Sequence, residues 1–160
     1  MITKSYRTEA LPADRENVGR LVAKTGFFSA EEIHIATELI SERLAKGEDS
    51  GYFFLFADEN GHLLAYACFG PIPGTIQSFD LYWIIVDPSL QRRGIGRSLL
   101  DAVEREVAAQ GGRRIYIDTS SRPQYEPTRR FYASCGYRAD AFLEDFYAPG
   151  DGKVIFVKSL

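Results

Sequence analysis

The fold is decided by the segment Val86-Asp87-Pro88-Ser89-Leu90-Gln91-Arg92-Arg93-Gly94-Ile95-Gly96-Arg97-Ser98-Leu99-Leu100. The residues at 81–86 are apolar and rich in β-branched and aromatic side chains, which predicts a buried strand that ends before Pro88. Beyond the segment's glycines, an apolar residue recurs every four positions, at Ile95, Leu99, Val103 and Val107. This spacing predicts an amphipathic helix. The sequence therefore predicts a strand, a tight basic loop and a helix.

The junction between this loop and the helix has the chemistry of an anion site. The first turn of a helix leaves backbone N–H groups without partners and carries partial positive charge. Gly94 and Gly96 have no Cβ, so a ligand can approach the backbone closely. Arg92, Arg93 and Arg97 add three full positive charges. The junction therefore suits a phosphate or pyrophosphate group.

The residues exclude two common phosphate loops and favour a third. A Walker A loop is excluded because no Lys-Ser/Thr pair follows the glycines, and a dinucleotide fingerprint because Leu99 stands where the third glycine belongs. The run Gln91 to Gly96 instead resembles the Gln/Arg-x-x-Gly-x-Gly/Ala signature of the GNAT N-acetyltransferase superfamily. In that family the loop holds the pyrophosphate of acetyl-coenzyme A (acetyl-CoA). The alternative is an ordinary corner, where the glycines only allow close packing.

The order of elements along the chain is also that of the GNAT family. We expect strands at about 2–7, 51–58, 62–69, 78–86, 114–119, 137–147 and 153–158. We expect helices at about 12–26, 30–46, 95–110 and 127–135. Ser29 and Glu32 have the spacing of a capping box for the second helix. The resemblance implies a single α/β (α+β) domain over 1–160, with a mixed, mostly antiparallel sheet of about seven strands, four flanking helices, and the fourth and fifth strands splayed.

The resemblance implies where the cofactor binds. In the family, coenzyme A lies between the splayed strands, and its pantetheine arm pairs with the fourth strand. The last helix often begins with an Asn that contacts the cofactor, and Tyr125 stands at that offset here, after a longer loop at 120–124. The implied cofactor residues are Ile84, Ile85, Val86, Gln91, Arg92, Arg93, Gly94, Ile95, Gly96, Arg97, Ser98 and Tyr125.

A second family motif implies the general acid. The run at 131–137 resembles the family ending in which a tyrosine precedes Gly-Phe by four residues, with Tyr137 in place of the Phe. Tyr132 stands where the family often has its acid. A phenol stays protonated near neutral pH and can donate its proton to the departing thiolate. The alternative is that Tyr132 is only a core aromatic residue.

Acetyl transfer to an amine also needs a group that takes a proton. An amine with a pKa near 10.4 is almost fully protonated at pH 7, so forming its neutral, nucleophilic state costs about 4–5 kcal/mol. Asp80 and Asp118 belong to the two strands expected to splay, so either is a candidate base. Glu144 and Asp145 are weaker candidates, and each of these acids could instead be a surface or cap residue.

Composition narrows the class of protein. The 160 residues carry a net charge of −3, which gives no overall attraction to nucleic acid or to an anionic membrane. No apolar run is long enough for a membrane span, and none follows the N-terminus as in a signal peptide. Cys68 and Cys135 have neither metal-type spacing nor a disulfide pattern. We therefore expect a cytoplasmic protein, monomeric or homodimeric, with no bound metal.

The most specific function that the sequence predicts is that of an acetyl-CoA-dependent N-acetyltransferase. The acceptor would be a primary amine of a small molecule or a protein, attacking the thioester directly in a ternary complex. A route through an acetylated Cys68 or Cys135 is less favoured, because neither has a histidine nearby in sequence. One alternative is a non-catalytic acyl-CoA sensor or partner-binding domain on the same fold. Another is a generic nucleotide-binding domain with affinity for ATP or NAD.

Overall fold

The structure, a computed structural model, describes residues 5–160, which form four α-helices and a six-stranded sheet. The helices are α1 (Asp14–Lys24), α2 (Ala30–Lys46), α3 (Ile95–Ala109) and α4 (Glu126–Ser134). The strands are β1 (Phe53–Glu59), β2 (His62–Pro71), β3 (Ser78–Val86), β4 (Arg114–Ser120), β5 (Arg138–Ala148) and β6 (Asp151–Ser159). Three short 3₁₀ helices precede β1, α3 and α4, at Gly47–Ser50, Pro88–Leu90 and Pro123–Tyr125.

The sheet is mixed and mostly antiparallel, as the sequence predicts. Its strand order is β1-β2-β3-β4-β6-β5, and β3–β4 is its parallel pair. The prediction of about seven strands is wrong by one within residues 5–160. Of the expected first strand, residues 2–4 lie outside the described part, and Arg7 forms only an isolated bridge with Phe56. The guanidinium of Arg7 binds Asp14 at 2.7 Å, because the chain turns there to start α1.

Two apolar cores fill the two faces of the sheet. One face packs against α1 and α2, with a core that includes Val18, Val22, Ile40, Phe56 and Tyr66. The other packs against α3 and α4, with a core that includes Leu99, Val103, Val107, Ile115 and Tyr132. The apolar positions of the predicted central helix all belong to this second core, so its hydrophobic stripe docks α3 onto β2 and β3. This docking fixes where α3 begins relative to the end of β3.

The helix ends follow the sequence signals closely. The side chain of Ser29 accepts a hydrogen bond from the backbone of Glu32, whose own side chain accepts one from Ser29 N–H, so the predicted capping box is confirmed.

Across residues 5–160, no helix is long and apolar enough to cross a membrane. The same residues contain no cluster of three or more His, Cys, Asp or Glu side chains suited to a metal ion.

Candidate active site

The two central strands separate partway along their length. β3 and β4 pair over only three residues, from Ser78 opposite Arg114 to Asp80 opposite Tyr116. Beyond that point the strands diverge, which confirms the predicted splay, and a cavity of about 530 Å³ opens between them. The backbone edge of β3 that faces this gap has no strand partner among the described residues beyond Asp80. The gap therefore presents free backbone groups to a ligand.

A β-bulge in β3 accompanies the separation. Cys68 of β2 pairs with Trp83, but its neighbour Phe69 pairs with Leu81, so Tyr82 is an extra residue without a partner on β2. The bulge changes which face each side chain meets. Leu81 packs in the core beneath α3, whereas Trp83, two positions later, packs against the core of α1 and α2. Tyr82 and Trp83 both line the cavity at this bulge.

The loop after β3 ends in an uncapped helix terminus. Gly94 precedes α3 with φ of 77°, a left-handed conformation that favours glycine, and no side chain caps the helix. The first backbone amides of α3 therefore have no hydrogen-bond partner among residues 5–160. Arg92 and Arg93 are exposed on the same loop, and neither makes an ion pair or hydrogen bond with another described residue. Amides and arginines together form an open site for an anion.

The two glycines of the motif serve different purposes. A Cβ added to Gly94 would meet no atom within 4 Å, so its surroundings are open as expected. A Cβ on Gly96 would lie 3.3 Å from the ring of Phe131 in α4. Gly94 therefore leaves the backbone open on the side where a ligand is predicted, whereas Gly96 allows α4 to pack closely on α3.

Three other residues of the predicted cofactor loop contact other parts of the protein. The guanidinium of Arg97 donates to the backbone oxygen of Ser134 at 2.9 Å, at the end of α4. The hydroxyl groups of Ser98 and Tyr6 lie 2.7 Å apart and are hydrogen-bonded. The side chain of Ile95 is buried in the core beneath α3. These side chains brace the first turn of α3, so the arginines of the loop that have no partner among the described residues are Arg92 and Arg93.

The remaining predicted cofactor residues lie on two walls of the cavity. One wall contains Ile84, Ile85, Val86 and Gln91. Tyr125 stands on the opposite wall, at the start of α4, where its ring lies 6.0 Å from that of Phe27. The predicted loop at 120–124 is shorter than expected, because β4 continues through Ser120 and a 3₁₀ helix at Pro123–Tyr125 leads into α4. The structure thus brings the two stretches together across the gap.

Tyr132 borders the cavity from α4. Its ring is packed against those of Phe131, Tyr137 and Phe156, so it is also part of the core. Its hydroxyl makes no hydrogen bond to any group in residues 5–160. Burial raises the pKa of Tyr132 above its ordinary value. The phenol is therefore protonated at neutral pH and has a proton to donate.

The two predicted carboxylates lie near each other where the strands separate. Asp80 faces the last paired residue of β4, and Asp118 follows two positions later. Burial and the charge of Asp118 raise the pKa of Asp80 to about 6, although the charge of Lys153 opposes the shift. Asp80 makes no hydrogen bond or ion pair with another described residue. Asp118 differs, because its Oδ2 lies 2.9 Å from Lys153 Nζ.

The weaker candidates, Glu144 and Asp145, lie away from this pair. Both are exposed on β5, and Asp145 accepts a hydrogen bond from Gly150 N–H. Sequence reasoning missed Lys153, which pairs with Asp118, and Asp151, which lines the cavity beside Arg122 at 3.3 Å. Both follow the turn Pro149-Gly150, so the sequence contains the signal for the hairpin. It contains no signal that β6 pairs with β4, which is what brings these residues to the cavity.

Comparison with known proteins gives consistent results. The profile of the Acetyltransferase (GNAT) family matches residues 20–137. The ribosomal protein bS18 alanine N-acetyltransferase of Escherichia coli K12 is 25% identical over 109 residues, covering 68% of this chain and 70% of that protein. A crystal structure from Desulfovibrio desulfuricans, assigned to the same family, is 43% identical, covers 99% of both chains and has a TM-score of 0.96. An aminoglycoside 6'-N-acetyltransferase in complex with coenzyme A shares the fold, with 18% identity, coverage of 99% and 96%, and a TM-score of 0.76.

Proposed function

Because the chain belongs to the GNAT family of acetyltransferases, we propose that it moves an acetyl group from acetyl-CoA to a primary amine by direct attack in a ternary complex. One observation carries the proposal. Gln91 of the basic loop lines the cavity between β3 and β4, and beside it lie the uncapped terminus of α3 and the free side chains of Arg92 and Arg93. An unpaired carboxylate, Asp80, lies at the other end of the gap, where the two strands begin to separate. These features suit a pyrophosphate and an ammonium ion, respectively.

The cofactor half of the site uses backbone groups. The pyrophosphate would accept hydrogen bonds from the first amides of α3, and Arg92 and Arg93 would add charge. The pantetheine arm would pair with the free edge of β3 along Ile84, Ile85 and Val86. This arrangement would bring the thioester beside the bulge at Tyr82, where a backbone N–H could stabilise the oxyanion.

The acceptor half supplies the proton transfers. The ammonium of the acceptor would give a proton to Asp80, and its nitrogen would then attack the thioester carbon. As the C–S bond breaks, Tyr132 donates its proton to the sulfur and recovers one from the new amide nitrogen. Asp80 finally releases its proton to solvent. A base with a pKa of about 6 takes a proton more readily than an ordinary aspartate does.

The acceptor would be a cationic amine with apolar surface near the amino group. Asp80, near Asp118 of the cavity wall, supplies a negative charge that no described cation pairs with, and Tyr82 and Tyr147 supply aromatic surface to the cavity. Relatives act on a protein alanine and on an aminoglycoside, so both a protein N-terminus and a small molecule belong among the candidates. The free thiols of Cys68 and Cys135 support a cytoplasmic location.

The proposal is tested by an assay of thiol release from acetyl-CoA. The assay uses a panel of diamines, aminoglycosides, peptides with a free N-terminus, and peptides with an internal lysine. Amine-dependent release, with acetylated acceptor seen by mass spectrometry, is the expected result. Acetyl-CoA binding without release by any acceptor would favour the sensor alternative and contradict the proposed reaction.

A further inference from the structure

Lys153 is held in one place beside the two carboxylates. Its Nζ lies 2.9 Å from Asp118 Oδ2 and 4.3 Å from the centre of the Phe146 ring. The Lys153 side chain is only 17% exposed, so water screens this ion pair less than it screens a surface pair. The ammonium is therefore fixed between a carboxylate on β4 and an aromatic face on β5.

An irregularity in β5 puts Phe146 in this position. Leu143 pairs with Lys153, but the next pair joins Ala148 to Asp151, so four residues of β5 face a single residue of β6. Within this bulge Asp145 has a φ of 53°, and its side chain accepts a hydrogen bond from Gly150 N–H at 2.8 Å. The bulge is thus held by its own hydrogen bond and carries the ring over the lysine.

The charges near Asp80 oppose one another. Asp118 on β4 disfavours the ionised form of Asp80, and Lys153 on β6 favours it. On β3 itself, Tyr82 is near enough for Asp80 to raise the pKa of its phenol, which burial already raises, to about 12. On β2 the residue opposite Asp80 is Gly70, which carries no charge. The balance at Asp80 therefore depends on one carboxylate and one ammonium that bind each other.

We propose that Lys153 is a positioning residue that determines which of the two carboxylates accepts a proton. By binding Asp118 it occupies that carboxylate and leaves Asp80 as the group that accepts the proton of the acceptor. The same ammonium offsets the negative charge of Asp118 and so limits how strongly Asp80 holds its proton. This inference rests on the proposed function, in which Asp80 is the base.

The test compares pH profiles of kcat/KM for one active acceptor. Activity should fall as the pH drops through the pKa of Asp80, near 6, because the base must be ionised. Lys153→Met should move this acid limb to higher pH, and Asp118→Asn should move it to lower pH, each by about half a pH unit or more. Lys153→Arg keeps the charge and should restore the wild-type profile.

Lys158 provides a matched control on the same strand. Its Nζ lies 2.8 Å from Glu104 and 5.5 Å from the centre of the Tyr137 ring, a similar arrangement away from the cavity. Lys158→Met should leave the acid limb where it is. Shifts of Lys153→Met and Asp118→Asn in the same direction, or no shift in either, would overturn the role of Lys153. Retention of the acid limb in Asp80→Asn would instead overturn Asp80 as the base, which separates the two failures.

Discussion

The two ends of the gap between β3 and β4 differ in how their polar groups are used. At the cofactor end, the first amides of α3 and the side chains of Arg92 and Arg93 have no partner within residues 5–160. At the acceptor end, Asp118 binds Lys153 and Asp151 binds Arg122. The groups at the first end can bind an anion such as the pyrophosphate without first giving up a protein partner. The second is a balanced set of charges that leaves one carboxylate, Asp80, to handle a proton.

The largest effect that separates the two ends is expected from Tyr132→Phe. Removing the phenol removes the proposed acid, so kcat should fall by about 100-fold. The affinity for acetyl-CoA should stay the same, because the phenol is not among the groups proposed to bind the pyrophosphate or the pantetheine arm. Steady-state kinetics and calorimetry measure the two quantities.

Tyr137→Phe is the control for this variant. Tyr137 lies 6.2 Å from the Tyr132 ring, and its hydroxyl donates to Glu104 at 3.0 Å in a separate contact. Its loss should cost about 1 kcal/mol of stability and leave kcat unchanged. Equal losses of kcat in the two variants would show that Tyr132 acts through packing alone.

The next effect belongs to the cofactor end. Arg93→Glu reverses an exposed charge beside the uncapped terminus of α3, so acetyl-CoA should bind at least about 10-fold more weakly. Arg105→Glu makes the same charge change further along α3 and should have little effect. Calorimetry at low and high salt measures this, and the difference should narrow as salt screens the charges. Equal weakening by both variants would mean that only net charge matters.

A smaller effect is expected from the backbone of the cofactor loop. Gly94 and Gly111 both have left-handed φ, 77° and 83°, and neither has an atom within 4 Å of an added Cβ. Alanine at either position should therefore cost about 1 kcal/mol in strain. Only Gly94→Ala should also weaken acetyl-CoA binding, by several-fold, since it changes the direction of the loop amides. Thermal unfolding and titration of both variants check this, and a matching loss of affinity in Gly111→Ala would refute it.

The smallest effect is on stability at the acceptor end. Because folding raises the pKa of Asp80 from 3.8 to about 6, its ionised form destabilises the native state at neutral pH. Asp80→Asn should therefore raise the melting temperature at pH 7.5 while it removes activity. The gain should be about 1 kcal/mol, or a few degrees, because Asp80 is only half-buried and partly screened.

The pH dependence identifies the cause of that gain. The advantage of Asp80→Asn should shrink as the pH falls from 6 towards 4, where Asp80 of the native protein takes up its proton. Thermal unfolding across this range makes the comparison. A lower melting temperature in the variant, or a difference that does not change with pH, would mean that burial of the Asp80 charge is not the cause.

Local signals account for what the sequence could predict. The strand, loop and helix around Gln91–Gly96 depend on neighbours in the chain, and so does the capping box of Ser29 and Glu32. The splay of the strands came from the family resemblance, and the pairing of β3 with β4 over only three residues bears it out. Apart from the splay, these features are the type and order of elements, which short stretches of sequence determine.

Long-range pairing accounts for what the sequence could not predict. Lys153 meets Asp118 because β6 pairs with β4, and the Tyr82 bulge depends on the register with β2. Arg97 stood in a basic loop but binds Ser134, because α4 ends beside it. Spacing along the chain does not encode these contacts, since each depends on which elements become neighbours in the fold.

The most direct test of the site uses Trp83, the single tryptophan of the chain, which lines the cavity beside the β3 bulge. Acetyl-CoA is titrated while calorimetric heat and tryptophan emission are both recorded, with ATP and NAD as controls. We predict micromolar binding of acetyl-CoA alone, with a saturable change in Trp83 emission that gives the same Kd. Binding with no change in emission would contradict a cofactor site between β3 and β4. The absence of binding would leave Gln91–Gly96 as a packing corner.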